Sequence, residues 1–202
     1  VEPLRLGFFA SHEGSNLQAI LDACRAGTLA AEPRLVISNN SDSGALRRAR
    51  EAGVPAYHVS GRTHPDDGVR DEEHLRLLRT HGVNLVVLAG YMKKLGPRAL
   101  AAYRGRILSI HPALLPKYGG PGMYGERVHE AVLAAGEKET GVTVHLVTAD
   151  YDAGPLLAQC RVPVLPGDTV QTLRARVLAR EHEFFVETLR KIAGGEIALP
   201  LP

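Results

Sequence analysis

The chain has 202 residues, of which 45% are hydrophobic and 23% charged, an ordinary make-up for one globular domain with a sizeable core. A formal charge of +2 excludes a general electrostatic drive toward nucleic acid or an anionic membrane, and no apolar run approaches the roughly 20 residues that a bilayer span needs. The two cysteines, Cys24 and Cys160, have no metal-like spacing and imply no disulfide framework; with no signal-like segment at the start, a cytoplasmic protein is expected.

In chain order, residues 4–10 read as a buried strand, 15–26 as a helix, 34–38 as a second strand, 43–52 as a second helix and 55–59 as a short third strand. A helix is expected over 71–80, with Leu75, Leu77 and Leu78 on its inner side. Residues 84–89, Asn-Leu-Val-Val-Leu-Ala, form the near-continuous apolar run of a parallel strand covered on both faces, and 106–110 give the next strand. This alternation predicts a doubly wound α/β sheet. Beyond Pro112 the pattern changes. A Gly- and Pro-rich loop covers 116–125 and a helix 128–135, followed by strands over 141–147 and 156–164. The link between those strands is too short for a crossover helix, so an antiparallel pair is expected. A long helix over 169–192 closes the pattern. No linker or repeat interrupts it, so a single domain over 1–202 is expected.

Three places have the residue types that chemistry needs. Ser11-His12-Glu13-Gly14-Ser15-Asn16-Leu17 joins the first strand to the first helix. Gly14 permits close backbone approach, and the free N–H groups at the helix start form an anion site. The Ser15 hydroxyl suits a helix cap or a phosphate contact; a capped helix without ligand fits the same spacing. In Ser109-Ile110-His111-Pro112, Ser109 and His111 are two apart on a strand and share a face, and Pro112 ends regular pairing, leaving His111 at the rim. In Asp150-Tyr151-Asp152-Ala153-Gly154-Pro155 the acidic loop is either a solvated turn or the carrier of a carboxylate to His111. A carboxylate there would raise the imidazole pKa.

Other readings fail on context. Gly120-Pro121-Gly122-Met123-Tyr124-Gly125 matches G-x-G-x-x-G but does not directly follow a strand, as a dinucleotide fingerprint must. No P-loop, His-Glu-x-x-His or Cys-x-x-Cys occurs, so neither ATP use nor a metal is expected. Ser109, His111 and Asp152 could form a hydrolytic triad, but no Gly-x-Ser-x-Gly surrounds Ser109.

Together the motifs resemble the phosphoribosylglycinamide formyltransferase family of folate-dependent enzymes. The resemblance is carried by Gly14-Ser15-Asn16-Leu17-Gln18-Ala19-Ile20, Val86-Val87-Leu88-Ala89-Gly90-Tyr91-Met92, Ile110-His111-Pro112-Ala113-Leu114-Leu115-Pro116, Thr143-Val144-His145, Asp152-Ala153-Gly154-Pro155 and Arg180-Glu181-His182. It implies a Rossmann-like fold and two small-molecule substrates, 10-formyltetrahydrofolate and 5-phosphoribosylglycinamide, with no nucleic-acid or membrane partner and a monomer or homodimer. It implies that Gly14, Ser15 and Asn16 hold the substrate phosphate and that Glu181 contacts its ribose. Met92, Lys93, Lys94 and Leu95 would line the folate pocket, with Arg70 near the folate and Ser109 at its edge. His111 and Asp152 would be catalytic. The family pattern is Asn-x-His-Pro; here Ser109 replaces the asparagine, so a hydroxyl on a short stem replaces an amide with both a donor and an acceptor.

The resemblance implies attack of the substrate amine on the formyl carbon, with protonated His111 donating to the oxyanion, Asp152 keeping it charged and a water carrying the proton. Three relatives or variants of this reading stay open: a hydrolase in which water replaces the amine, a tRNA-directed formyltransferase, and a folate or phosphate binder that lost activity through Ser109.

Overall fold

A computed structural model describes residues 2–199; the expected domain of 1–202 extends past them at both ends. Thirteen elements follow one another: β1 (Leu4–Ala10), α1 (Ser15–Arg25), β2 (Ala31–Ser38), α2 (Gly44–Glu51), β3 (Ala56–His58), α3 (Asp67–Thr80), β4 (Leu85–Leu88), α4 (Pro97–Ala102), β5 (Ile107–His111), α5 (Glu126–Ala134), β6 (Glu139–Leu146), β7 (Leu156–Pro163) and α6 (Val170–Ala193). The strands form one sheet in the order β3-β2-β1-β4-β5-β6-β7. The first five pair in parallel. β6 runs antiparallel to β5 and β7 antiparallel to β6. The antiparallel β6–β7 pair expected from the short link is present, and β6 also joins it to β5 in antiparallel sense.

Strand periodicity sorts the core into two layers. Leu6, Phe8, Val36, Leu85, Val87 and Leu108 point to one side, where α1, α2, α5 and α6 contribute Leu17, Leu46, Val132, Val177 and Phe185. Phe9, Leu35, Ile37, Val86, Leu88 and Ile107 point to the other, against Leu77 and Leu78 of α3. Alternate side chains of a strand leave on opposite faces, so a run such as Leu85–Leu88 feeds both layers. Each fully buried side chain of this kind contributes about 1.5–3 kcal/mol, which outweighs differences in strand propensity of about 1 kcal/mol.

α4 was absent from the sequence expectations. It has six residues, and the carboxylate of Asp71 on α3 accepts from the backbone N–H groups of Arg98 (2.8 Å) and Ala99 (3.1 Å) at its start. The chain reverses order between β1 and β4: β2 and β3 lie on one side of β1, β4 to β7 on the other. Ligands of open α/β sheets bind beyond the strand C-termini at such a switch point. Gly14 and Met92 follow β1 and β4 there, and His111 is the last residue of the neighbouring β5.

Candidate active site

At the end of β1 the chain turns into α1 through Gly14, whose φ of 74° is left-handed and whose missing Cβ leaves room for the Cα of Ala45, 2.9 Å from where a Cβ would sit. No side chain caps α1. Its first N–H groups and the positive end of its dipole therefore face the crevice. Of the two roles open to the Ser15 hydroxyl, helix cap or phosphate contact, the cap does not form. Ser15 is already the first helical residue, and its hydroxyl lies 2.9 Å from Nε2 of His182 on α6. Beside it, Asn16 Nδ2 donates to Glu181 Oε1 at 3.4 Å, while Asn16 Oδ1 is buried without a protein partner. Burial pushes the Glu181 carboxyl up to about 7, against the lowering effects of Asn16 and Arg174. Ser15, Asn16, Glu181 and His182 thus surround one uncapped helix end.

β5 ends on His111, which is 5% exposed. The segment after it is fixed by Thr143 of β6: its hydroxyl donates to the carbonyl of Ala113 (2.7 Å) and accepts from the N–H of Leu115 (3.1 Å). The β6–β7 loop then returns Asp152 to the same place. A Cβ at Gly154 would collide with the carbonyl of Leu146, so glycine is needed for this loop to lie against the strand it leaves. Asp152 itself has a φ of 53°. Its Oδ2 lies 3.6 Å from His111 Nδ1 and accepts from the N–H of Gly120 at 2.9 Å; its Oδ1 lies 3.5 Å from Nε2 of the buried His145. One carboxylate is therefore held between two imidazoles. Burial works to raise its pKa, but His145, His111 and the Gly120 N–H outweigh it and set it below 3.8.

His111 differs from expectation in one respect. Its pKa is lowered from 6.5, chiefly by burial and also by His145, although Asp152 and the Tyr118 carbonyl act in the raising direction. Desolvation of the imidazolium outweighs the carboxylate at 3.6 Å. The Nε2–H of His111 donates to the carbonyl of Tyr118 at 2.7 Å, so this donor is fixed in direction. Ser109 stands opposite His145 in the β5–β6 register, and its hydroxyl has no protein partner among the described residues.

On the α3–α4 side of the sheet a cleft of about 910 Å³ opens, lined by Arg70, Lys93, Lys94 and Leu95 among others. One residue of α3 and three of the segment between β4 and α4, grouped in the sequence only by resemblance, thus share one wall. Met92 and Ser109 do not line it; Met92 is 40% exposed and is anchored by its N–H donating to Ser11 Oγ at 2.8 Å. Arg70 donates to the carbonyl of His64 and pairs with Asp67. Sequence reasoning missed several groups here. His145 was quoted in a motif without a role. His74 lines the cleft with neither ring nitrogen hydrogen-bonded; burial pushes its pKa down to about 4. The Tyr118 carbonyl, a backbone group, has no sequence signal at all. Among the described residues no His, Cys, Asp and Glu cluster could hold a metal, and no helix is long and apolar enough to cross a membrane.

Residues 4–189 match the formyl transferase family. The chain belongs to that family. A phosphoribosylglycinamide formyltransferase of Escherichia coli is 38% identical over 94% of this chain and 87% of its own length. A chloroplastic phosphoribosylglycinamide formyltransferase of Arabidopsis thaliana is 41% identical over 95% of this chain; the chain spans 66% of that relative's length. The crystal structure of glycinamide ribonucleotide transformylase 1 from Symbiobacterium toebii superposes with a TM-score of 0.89 at 43% identity, covering 98% of this chain and 91% of that one. A formyltetrahydrofolate deformylase from Pseudomonas syringae shares the fold at 27% identity, TM-score 0.85, with this chain covering 64% of it. Relatives named as formyltransferases and one named as a deformylase thus share this fold.

Proposed function

We propose that the chain transfers the formyl group of 10-formyltetrahydrofolate to the amine of 5-phosphoribosylglycinamide, a step of purine biosynthesis, in the cytoplasm. The observation that carries this reading is the His111–Asp152–His145 cluster, at the same sheet as an uncapped helix start and a separate cleft. Two substrates have two places to bind, with one polar cluster for the chemistry.

The N–H groups at α1, with Gly14, Ser15 and Asn16, hold the phosphate; Glu181 takes a ribose hydroxyl. The folate lies toward Arg70 and Lys93–Leu95, with Met92 at the mouth. The amine attacks the formyl carbon, a C–N bond forms, and the carbonyl electrons move onto oxygen. The Nε2–H of His111 donates to that oxyanion in place of the Tyr118 carbonyl. A preorganised donor of this kind is worth about 2.7–4 kcal/mol. Asp152 and His145 hold the imidazole in orientation. The proton of the attacking amine passes through a water to the folate nitrogen, the bond from carbon to that nitrogen breaks, and tetrahydrofolate leaves. Ser109 contributes less than an asparagine would, because its hydroxyl reaches less far.

A single assay tests this. The protein is incubated with 10-formyltetrahydrofolate, with and without phosphoribosylglycinamide, and deformylation is followed. Turnover that requires the amine supports the transferase. Equal turnover without it makes the chain a hydrolase, and none makes it a binder. His111→Ala retaining most of the activity would sink the mechanism.

A further inference from the structure

Ser11 is the residue at which three loops of the switch point meet. It follows β1, which lies between β2 and β4 in the sheet, and it is 1% exposed. Its hydroxyl donates to Oδ1 of Asn39, just past β2, at 2.6 Å, and accepts from the N–H of Met92, past β4, at 2.8 Å. Its own N–H donates to the carbonyl of Gly90 at 3.1 Å. A serine hydroxyl supplies both a donor and an acceptor on a short stem, which suits a place between closely spaced loops. No step of formyl transfer uses this group.

The two sides that Ser11 ties together differ in what else holds them. The turn from β1 into α1 keeps three other ties. The N–H of Ala45 donates to the carbonyl of His12 (3.0 Å), Arg48 Nε donates to that of Glu13 (2.8 Å), and the Ser15 hydroxyl meets His182. The segment after β4 has fewer polar ties. Lys94 Nζ rests 4.5 Å from the Tyr151 ring centroid, and among the described residues no backbone N–H from 91 to 95 other than that of Met92 donates to a protein group. This segment carries Lys93, Lys94 and Leu95 into the cleft wall. A donor left without a partner beside a buried side chain is costly, and the side with fewer ties is the one that shifts to relieve it.

We propose that Ser11 is a positioning residue for the folate side of the site: through the Met92 N–H, its hydroxyl sets where residues 91–95 stand relative to His111. This deepens the transferase reading and rests on its placing the folate along Lys93–Leu95. Asn39 acts through Ser11, because accepting the hydroxyl proton turns the oxygen lone pairs toward Met92. Loss of the hydroxyl weakens the hold on the folate about three- to tenfold, the scale of one neutral hydrogen bond, and leaves the phosphate side in place.

The test measures kcat and both KM values for Ser11→Ala. The expected result is a KM for 10-formyltetrahydrofolate raised about three- to tenfold, with the KM for phosphoribosylglycinamide and kcat within about twofold of wild type. Ser11→Thr, which restores the hydroxyl, recovers most of the folate KM. A lower Tm with an unchanged folate KM overturns the proposal, because a merely structural hydroxyl gives that result. An equal rise in both KM values, or a Ser11→Thr protein no better than Ser11→Ala, also overturns it. Asn39→Ala provides a second measurement that stands even if Ser11→Ala does not fold. Amide exchange at Met92 is expected to quicken in that variant, and unchanged exchange overturns the proposal. Equilibrium binding of tetrahydrofolate separates the positioning role from the activity. Weaker binding by Ser11→Ala, with no turnover by the wild type, removes the transferase reading and keeps the role of Ser11. Wild-type turnover with equal folate affinity in the variant does the reverse.

Discussion

At the scale of single residues, burial outweighs the neighbouring charge at His111, whereas at Asp152 the neighbours outweigh burial. His111 has a carboxylate beside it, yet its pKa falls, because it is 5% exposed and the imidazolium loses hydration. Asp152 is the first of the groups opposing that fall. Asp152→Asn therefore lowers the His111 titration point further, which histidine-selective NMR reads directly, and it lowers kcat by roughly 10²–10⁴. An unmoved His111 titration would show that the two groups do not interact. Glu181 is the opposite case. Its folded pKa is raised from 4.5 to about 7, so the native state holds a proton that the unfolded chain has lost. Stability from this group is present below pH 4.5 and is lost as pH rises to about 7, a cost on the order of 3 kcal/mol. Glu181→Gln removes that slope, and urea unfolding at pH 5 and pH 8 measures it. A wild-type slope retained in the variant would place the linkage elsewhere. At Ser109 the expected effect is small: Ser109→Ala lowers kcat severalfold, and an unchanged kcat would leave this position without a role.

Elements were legible where the signal is local. The strand Leu4–Ala10 and the start of α1 at Ser15 agree with the apolar run and the Gly14 turn. α4 was not legible, because what starts it is 26 residues upstream: the cap is the Asp71 carboxylate on α3, reaching Arg98 and Ala99. A six-residue helix has too few internal hydrogen bonds to offset its nucleation cost, so it exists through that contact. Asp71 is buried, and Asp71→Ala leaves two backbone donors unpaired. The expected loss is about 1–3 kcal/mol, seen as a lower Tm, with the cleft wall at Lys94–Arg98 losing its amide-exchange protection first. Full protection of α4 in the variant would show that the segment holds itself.

At the scale of the whole molecule, α6 couples the site to the core. Phe185 is fully buried against the sheet, four residues past Glu181 and three past His182. Phe185→Ala costs about 3–5 kcal/mol and raises KM for the phosphorylated substrate more than it lowers kcat. Equal loss in both parameters would mean that α6 does not position that subsite separately.

The sequence by itself determined the sheet class and, apart from α4, the order of its strands and helices, because side-chain periodicity is written in adjacent residues. It also determined which histidine and which aspartate to bring together, through motifs shared with a family. It did not show that His145 completes the pair around Asp152, that His74 joins the cleft wall, or that burial lowers the His111 pKa. Those depend on which strands lie side by side and how much water is excluded between them. Register and desolvation arise only when segments far apart in the chain are packed together.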